Sequence, residues 1–234
     1  MKRRHIERDK KNLYKTINYL KKKKKILFLT TSNRWEGHKE KSKSTKLAYK
    51  IAKKIGKKTN VLEIPTLNIY PCEGNVSGMS GNHCGPLGAK LKNSYKNPSG
   101  NHRCWASINN PDDELWKVSK PLLGSDCVII FGSVRWGQMN SFYQKLIERM
   151  TWLENRHTTL QGENLLKDIE IGLIVIGHNW NGVNILKTQK QVLKFFGFKV
   201  VNDLCWNWDF TTPKDETNES YLAAAKEFKD IFLE

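Results

Sequence analysis

The sequence predicts an α/β protein, a doubly wound parallel sheet of five strands preceded by a basic helical extension over residues 1–25. Three observations carry that expectation. From Lys25 onward, short β-branched or apolar runs bounded by turn residues alternate with longer segments of helical period. Several of those runs are near-continuous rather than alternating, which is the pattern of strands buried on both faces by flanking helices. A chain of 234 residues, 38% of them hydrophobic, is long enough for one well-buried core and short for two.

The candidate strands are ILFLTT (26–31), NVLEI (60–64), DCVIIFGS (126–133), IEIGLIVIG (169–177) and KVVNDLCW (199–206). Helical period is expected near 44–56, 112–122, 138–153, 183–196 and 216–232. In residues 5–20, Ile6, Leu13, Ile17 and Leu20 share one thin apolar stripe on an otherwise basic helix, read as a solvated helix packed loosely on the domain at 26–234. Right-handed crossovers between five parallel strands allow the flavodoxin-like order 2-1-3-4-5, whose ligand crevice lies beyond the carboxyl ends of strands 1 and 3.

Charge is unevenly placed. The chain carries a formal +17, and residues 1–25 hold twelve Lys or Arg against Glu7 and Asp9, a net of +10. Such a cluster supplies sequence-independent affinity for polyanions, so a weak polyanion contact through residues 1–25 is one expectation. No apolar run approaches the roughly 18 residues of a membrane span, and no signal-peptide apolar region follows the charged start, so a cytoplasmic protein is expected. Five cysteines at wide, irregular spacing do not resemble a disulfide scaffold, and reduced thiols are the default.

Polar residues collect where strands end. After the first strand, TSNRWEGHKEKSKST runs into a helix beginning around Ser42 to Thr45, bringing hydroxyls, Arg34 and lysines to a helix N-terminus. Orphan backbone N–H groups and the helix dipole there favour an anion. Neither a Walker lysine pattern nor GxGxxG is present, which directs the reading away from ATP and from Rossmann-bound dinucleotides.

The third strand runs into GSVRWGQMNSFYQKLIERM, and this segment resembles the NADPH-dependent FMN reductase family. Ser133, Trp136, Gly137 and Met139 match the family's loop; Val134 stands where proline is usual and Arg135 where an aromatic is usual. The resemblance implies that Ser133, Val134, Arg135, Trp136, Gly137 and Gln138 lie along an FMN ring. It extends to the first loop, where Thr31, Ser32, Arg34, Ser44 and Thr45 are expected around the FMN phosphate, with Arg34 a charge-assisted donor. In GHNWNG, after the fourth strand, it implies that Gly177, His178 and Asn179 line the far side of the ring. Trp136, Trp180, Trp206 and Trp208 fall near expected strand ends, where a flat ring favours aromatic neighbours, whereas Trp152 reads as core.

Residues 65–111 break the rhythm, being rich in Gly, Asn and Ser, and open directly after the second strand, so they are expected to fold over the same sheet edge. The segment resembles, in degenerate form, the cysteine-bearing region of iron–sulfur flavoproteins: Cys72 and Cys104 fall at the outer ends, Asn75 takes the place of a second cysteine, and Cys84 lies between. Three thiolates leave a [4Fe–4S] cluster one ligand short, and zinc with His83 or His102 would need spacings unlike any compact knuckle. No bound metal is expected.

FMN would carry the hard chemistry, which suits a sequence without an acid/base dyad or nucleophile triad. The resemblance implies an NAD(P)H-dependent oxidoreductase of flavin or quinone reductase type, with a small-molecule acceptor and a homo-oligomeric state. Two alternatives stay open: a flavodoxin-type electron carrier, against which the +17 charge argues since such carriers present acidic faces, and a nucleic-acid-associated protein working through the basic arm.

Overall fold

The computed structural model describes residues 2–33, 40–56, 59–177, 181–210 and 217–234. Strands β1 (Ile26–Thr30), β2 (Thr59–Glu63), β3 (Cys127–Arg135), β5 (Glu170–Gly177) and β6 (Lys199–Asp209) pair in parallel in the order β2-β1-β3-β5-β6. The two-residue β4 (Gln138–Met139) turns back antiparallel on the end of β3. Leaving β4 aside, this is the expected order 2-1-3-4-5. Helices α1 (Lys2–Leu20), α2 (Lys43–Ile55), α3 (Trp105–Asn109), α4 (Trp116–Leu122), α5 (Ser141–Thr158), α6 (Gly182–Phe195) and α7 (Asn218–Phe228) complete the described elements, with a π-helical turn at Lys229–Leu233.

The sheet is apolar on both faces because alternate residues of each strand point to opposite sides. Leu27, Leu29, Val128, Ile130, Leu173 and Val175 join one core with residues of α4, α5 and α6. Ile26, Phe28, Ile129, Phe131, Ile174 and Ile176 join the other with residues of α1, α2, α7 and the π-helical turn. Phe28 and Phe131 meet edge to face with ring centroids 5.0 Å apart across the β1–β3 pair. No helix among the described residues is long and apolar enough to cross a membrane.

The N-terminal helix is packed more firmly than its thin stripe suggests. Leu13, Ile17 and Leu20 are buried in the second core. Polar contacts then fix the helix: Trp206 donates from Nε1 to Thr16 Oγ1 at 3.0 Å, Lys15 pairs with Asp203 at 3.0 Å, and the Tyr19 hydroxyl donates to Glu170 at 2.9 Å. The reason lies in β6, whose register jumps between Ile171 and Leu173 of β5, so that a bulge presents Asp203 to α1. Sequence periodicity carries no signal for a bulge of that kind.

Residues 65–111 also depart from expectation. They pack beside α5 instead of over the carboxyl edge, and none of them lines the cleft there. Arg149 anchors them, donating to the Tyr70 carbonyl at 2.7 Å and to Ser107 Oγ at 2.9 Å, while it pairs with both carboxylate oxygens of Asp113, just beyond them, at 2.7 and 2.9 Å. Burial works to raise the Asp113 carboxyl, yet the bonds from Arg149 and Ser107 hold it below the usual carboxylate range. His102 completes the anchor between Ser119 (2.7 Å) and Ser107 (2.9 Å). Ser107 gives its own hydroxyl proton to Asp113, so His102 Nε2 must donate to Ser107. Burial pushes its pKa down to about 4, which keeps the ring neutral at neutral pH with Nδ1 accepting from Ser119.

Candidate functional site

At the carboxyl edge, Ser32, Asn33, Ser42, Lys43, Ser44, Ser133, Val134, Arg135, Ile176, Gly177 and Tyr221 line a cleft of about 180 Å³. It lies beyond β1 and β3, where the strand order reverses and where ligands of open α/β sheets bind.

Its polar end is made by the start of α2. Ser42, not Ser44, is the helix cap: its Oγ accepts from the Thr45 N–H at 3.2 Å and donates to Thr45 Oγ1 at 2.9 Å. Ser44 Oγ stands 3.2 Å from the same hydroxyl. Thr45 is thus turned inward, bonded to Ser42 and outside the lining, while Ser42 joins the site. The α2 dipole and its first backbone N–H groups face this end, and Lys43 sits on its rim. Ser32 lines the cleft from the other side with its Oγ buried and, among the described residues, without a hydrogen-bond partner. A hydroxyl buried unpaired costs free energy of about 1–3 kcal/mol, a cost that a ligand oxygen placed there would offset.

Thr31 has a different part. Its N–H donates to the Phe131 carbonyl at 2.9 Å, and its hydroxyl accepts from Asn140 Nδ2 at 3.0 Å. Asn140 in turn caps α5, accepting from the Tyr143 N–H at 3.1 Å, and reaches Ser133 Oγ at 3.3 Å. Thr31 and Asn140 therefore fix the spacing of the first and third loops and do not line the cleft.

Ser133, Val134 and Arg135 continue β3 past the sheet into a hairpin whose central residues, Trp136 (φ 48°) and Gly137 (φ 70°), both lie in the left-handed region. That is the backbone of a tight type I′ connection, natural for Gly137 and uncommon for a tryptophan. Trp136 is 95% exposed at the tip. The Gly137 carbonyl accepts from Asn181 Nδ2 at 2.7 Å, tying the hairpin to the start of α6. Trp136, Gly137 and Gln138 are not among the lining residues.

The far wall is Ile176 and Gly177. A Cβ built on Gly177 would lie 2.4 Å from Asp209 Oδ1, and one on Gly182 would lie 2.5 Å from the same oxygen. Asp209, at the end of β6, accepts from Asn207 Nδ2 at 2.7 Å through its other oxygen, while Oδ1 is buried without a partner among the described residues. Burial pushes this carboxyl up to about 6, with the Asn207 bond working against the rise. Sequence reasoning missed Asp209 and Tyr221; the latter reaches the cleft from α7, the last helix of the fold, and no local motif marks it.

Arg34, His178, Asn179 and Trp180 lie outside the described residues. Trp206 and Trp208 do not reach the cleft. They are buried on the α1 and α7 face, Trp206 stacked on Phe232 at 5.6 Å and Trp208 edge-on to Phe228 at 5.1 Å. Strand alternation, which places both side chains on that face, decides this over nearness to the strand end. Trp152 is core, as expected.

The cysteines of residues 65–111 are separate from the cleft. Cys104 is buried with its sulfur 3.5 Å from an Arg149 nitrogen, and Cys84 is partly buried, its thiol pushed up to about 12 by burial. Among the described residues no group of three or more His, Cys, Asp or Glu side chains is placed to hold a metal ion.

This sheet order and its edge cleft define a flavodoxin-like α/β protein. The chain is similar in structure to RosB with bound 8-demethyl-8-formylriboflavin-5'-phosphate, with a TM-score of 0.57 and 15% identity over 88% of this chain and 72% of that one. It is also similar to azoreductase AzrA, with a TM-score of 0.50 and 14% identity over 89% of this chain and 97% of that one. No protein-family model matches the chain. No curated protein sequence matches it.

Proposed function

We propose that the cleft binds FMN, phosphate end toward α2, and that the protein is an NAD(P)H-dependent oxidoreductase of flavin or quinone reductase type. The observation that carries this reading is Ser32, whose buried hydroxyl, without a partner among the described residues, shares a cleft with the N-terminal turn of α2. Together they form a donor set for a phosphate dianion: the Ser32 hydroxyl, the α2 backbone N–H groups and the Lys43 ammonium. RosB, whose structure contains a riboflavin 5'-phosphate derivative, and AzrA, an azoreductase, support the same reading.

Bound FMN would supply hydride acceptance and onward electron transfer. This chain's residues would do the rest. The α2 turn and Ser32 would hold the phosphate, and a cleft of about 180 Å³ suits a phosphate and polyol chain, with a flat ring emerging toward the hairpin. Val134, Ile176 and the Gly177 backbone, which line the cleft, would border that ring. Trp136 would cover its outer face and shed water. Arg135, exposed at the mouth, would offer a guanidinium to a phosphate of the nicotinamide dinucleotide. Arg34, His178 and Asn179 are proposed to complete the same site. A small quinone or azo compound fits as acceptor, and a homo-oligomer is proposed with it.

The test is to reconstitute the purified protein with FMN, remove free flavin and record its spectrum, then add NADPH without air. Retained flavin bands that bleach within seconds to minutes are expected. A protein that keeps no flavin overturns the proposal. Flavin that is retained but does not bleach with NADPH or NADH overturns the reductase part in favour of an electron carrier.

A further inference from the structure

The outward face of α1 and the lysine turn that follows it serve no purpose in the proposed flavin site. The buried positions of the helix, Asp9, Leu13, Thr16, Ile17 and Leu20, all face the core, so its outer side turns to solvent. There stand Lys10, Lys11 and Tyr14, with Tyr14 67% exposed, one helical turn from both lysines. The helix then runs into a turn carrying Lys22, Lys24 and Lys25, all exposed. The backbone N–H groups of Lys24 and Lys25 donate to Asp126 at 3.1 and 2.9 Å, which fixes this turn to the sheet's amino edge. Lys15 and Lys23 are engaged by Asp203 and Glu170 and are left out of the count.

We propose that this face binds the backbone of single-stranded nucleic acid without sequence preference. Five exposed ammonium groups along a helix of about 28 Å and its exit turn match a string of phosphates. An exposed tyrosine among them gives a base a ring to stack on, which a duplex does not present. An anionic membrane is the weaker match, because an interfacial helix buries its apolar face in lipid and α1 has already committed that face to the core. The lysine turn lies at the amino end of β1 and the cleft at its carboxyl end, about 17 Å apart along a five-residue strand, so both could be occupied together.

The test is fluorescence anisotropy with a labelled oligonucleotide of about 20 nucleotides, titrated with full-length protein between about 50 and 200 mM salt. Binding is expected to weaken with salt at a logarithmic slope of about −3.5, given about −0.7 for each of five phosphate contacts. Lys10→Glu with Lys11→Glu, and separately Lys22→Glu with Lys24→Glu, should each weaken binding about tenfold or more and flatten the slope. FMN affinity and thermal midpoint should stay unchanged in both variants. Tyr14→Ala should weaken binding with the slope retained. No binding at low salt, binding indifferent to both charge reversals, tighter binding to duplex, or preference for phosphatidylserine vesicles would each overturn the proposal.

Discussion

Asp209 explains why positions 177 and 182 are both glycine. Its carboxylate occupies the space where side chains at 177 and 182 would begin, so both positions are glycine by exclusion. Gly182→Ala should therefore destabilise by about 1–3 kcal/mol through overpacking, and Asp209→Ala in the same chain should recover much of that loss. Chemical denaturation of the two single variants and the double checks this, additive losses being the contrary result. His102 makes a second prediction at this scale. Its folded pKa of about 4 lies below the unfolded value, so the unfolded chain binds the extra proton between them. The stabilisation from a neutral His102 is fully present above about pH 6.5 and is lost as pH falls toward 4. Asp209 bends the profile the other way, since its raised pKa makes stability fall as pH rises from the unfolded carboxyl range through about 6. Thermal midpoints across this range should fall less steeply with acid in His102→Gln than in the parent, and more steeply in Asp209→Asn.

The hairpin formed by β3 and β4 is the element at which local conformation and proposed function conflict. A left-handed Trp136 costs free energy that an Asn-Gly turn of the same shape avoids. Trp136→Asn should hold or raise the thermal midpoint while weakening FMN binding, because the exchange relaxes the turn and removes the exposed ring. A lower midpoint with unchanged flavin affinity would show the tryptophan to be structural. Elements differed in how far the sequence revealed them. The five strands were readable because two-sided burial writes unbroken apolar runs such as Val128 to Phe131. The expected helix at 112–122 begins only at Trp116, as α4, because Asp113 ahead of it is held against Arg149. Helical period also placed the α2 start within a residue or two, and the turn geometry selects Ser42 as its cap.

At the scale of the molecule, the fold divides its work between the two ends of one sheet. The carboxyl ends of β1, β3 and β5 assemble the cleft, the amino end carries the lysine turn, and residues 65–111 brace α5 through Arg149. The loops after successive strands were visible as motifs because their residues are contiguous. Tyr221 and Asp209 were not, since they reach the edge through topology alone, and the bracing role of residues 65–111 depends on a buried partner in α5 that no local pattern links to them. The central claim is that the α2 end of the cleft holds a flavin phosphate. Comparing FMN with riboflavin by quenching of flavin fluorescence tests it most directly, because the two ligands differ only in that phosphate. With charge-assisted bonds contributing about 1.5–3 kcal/mol each, FMN should bind at least about tenfold more tightly, and Ser32→Ala should narrow the gap. Equal affinity for the two flavins would contradict the account.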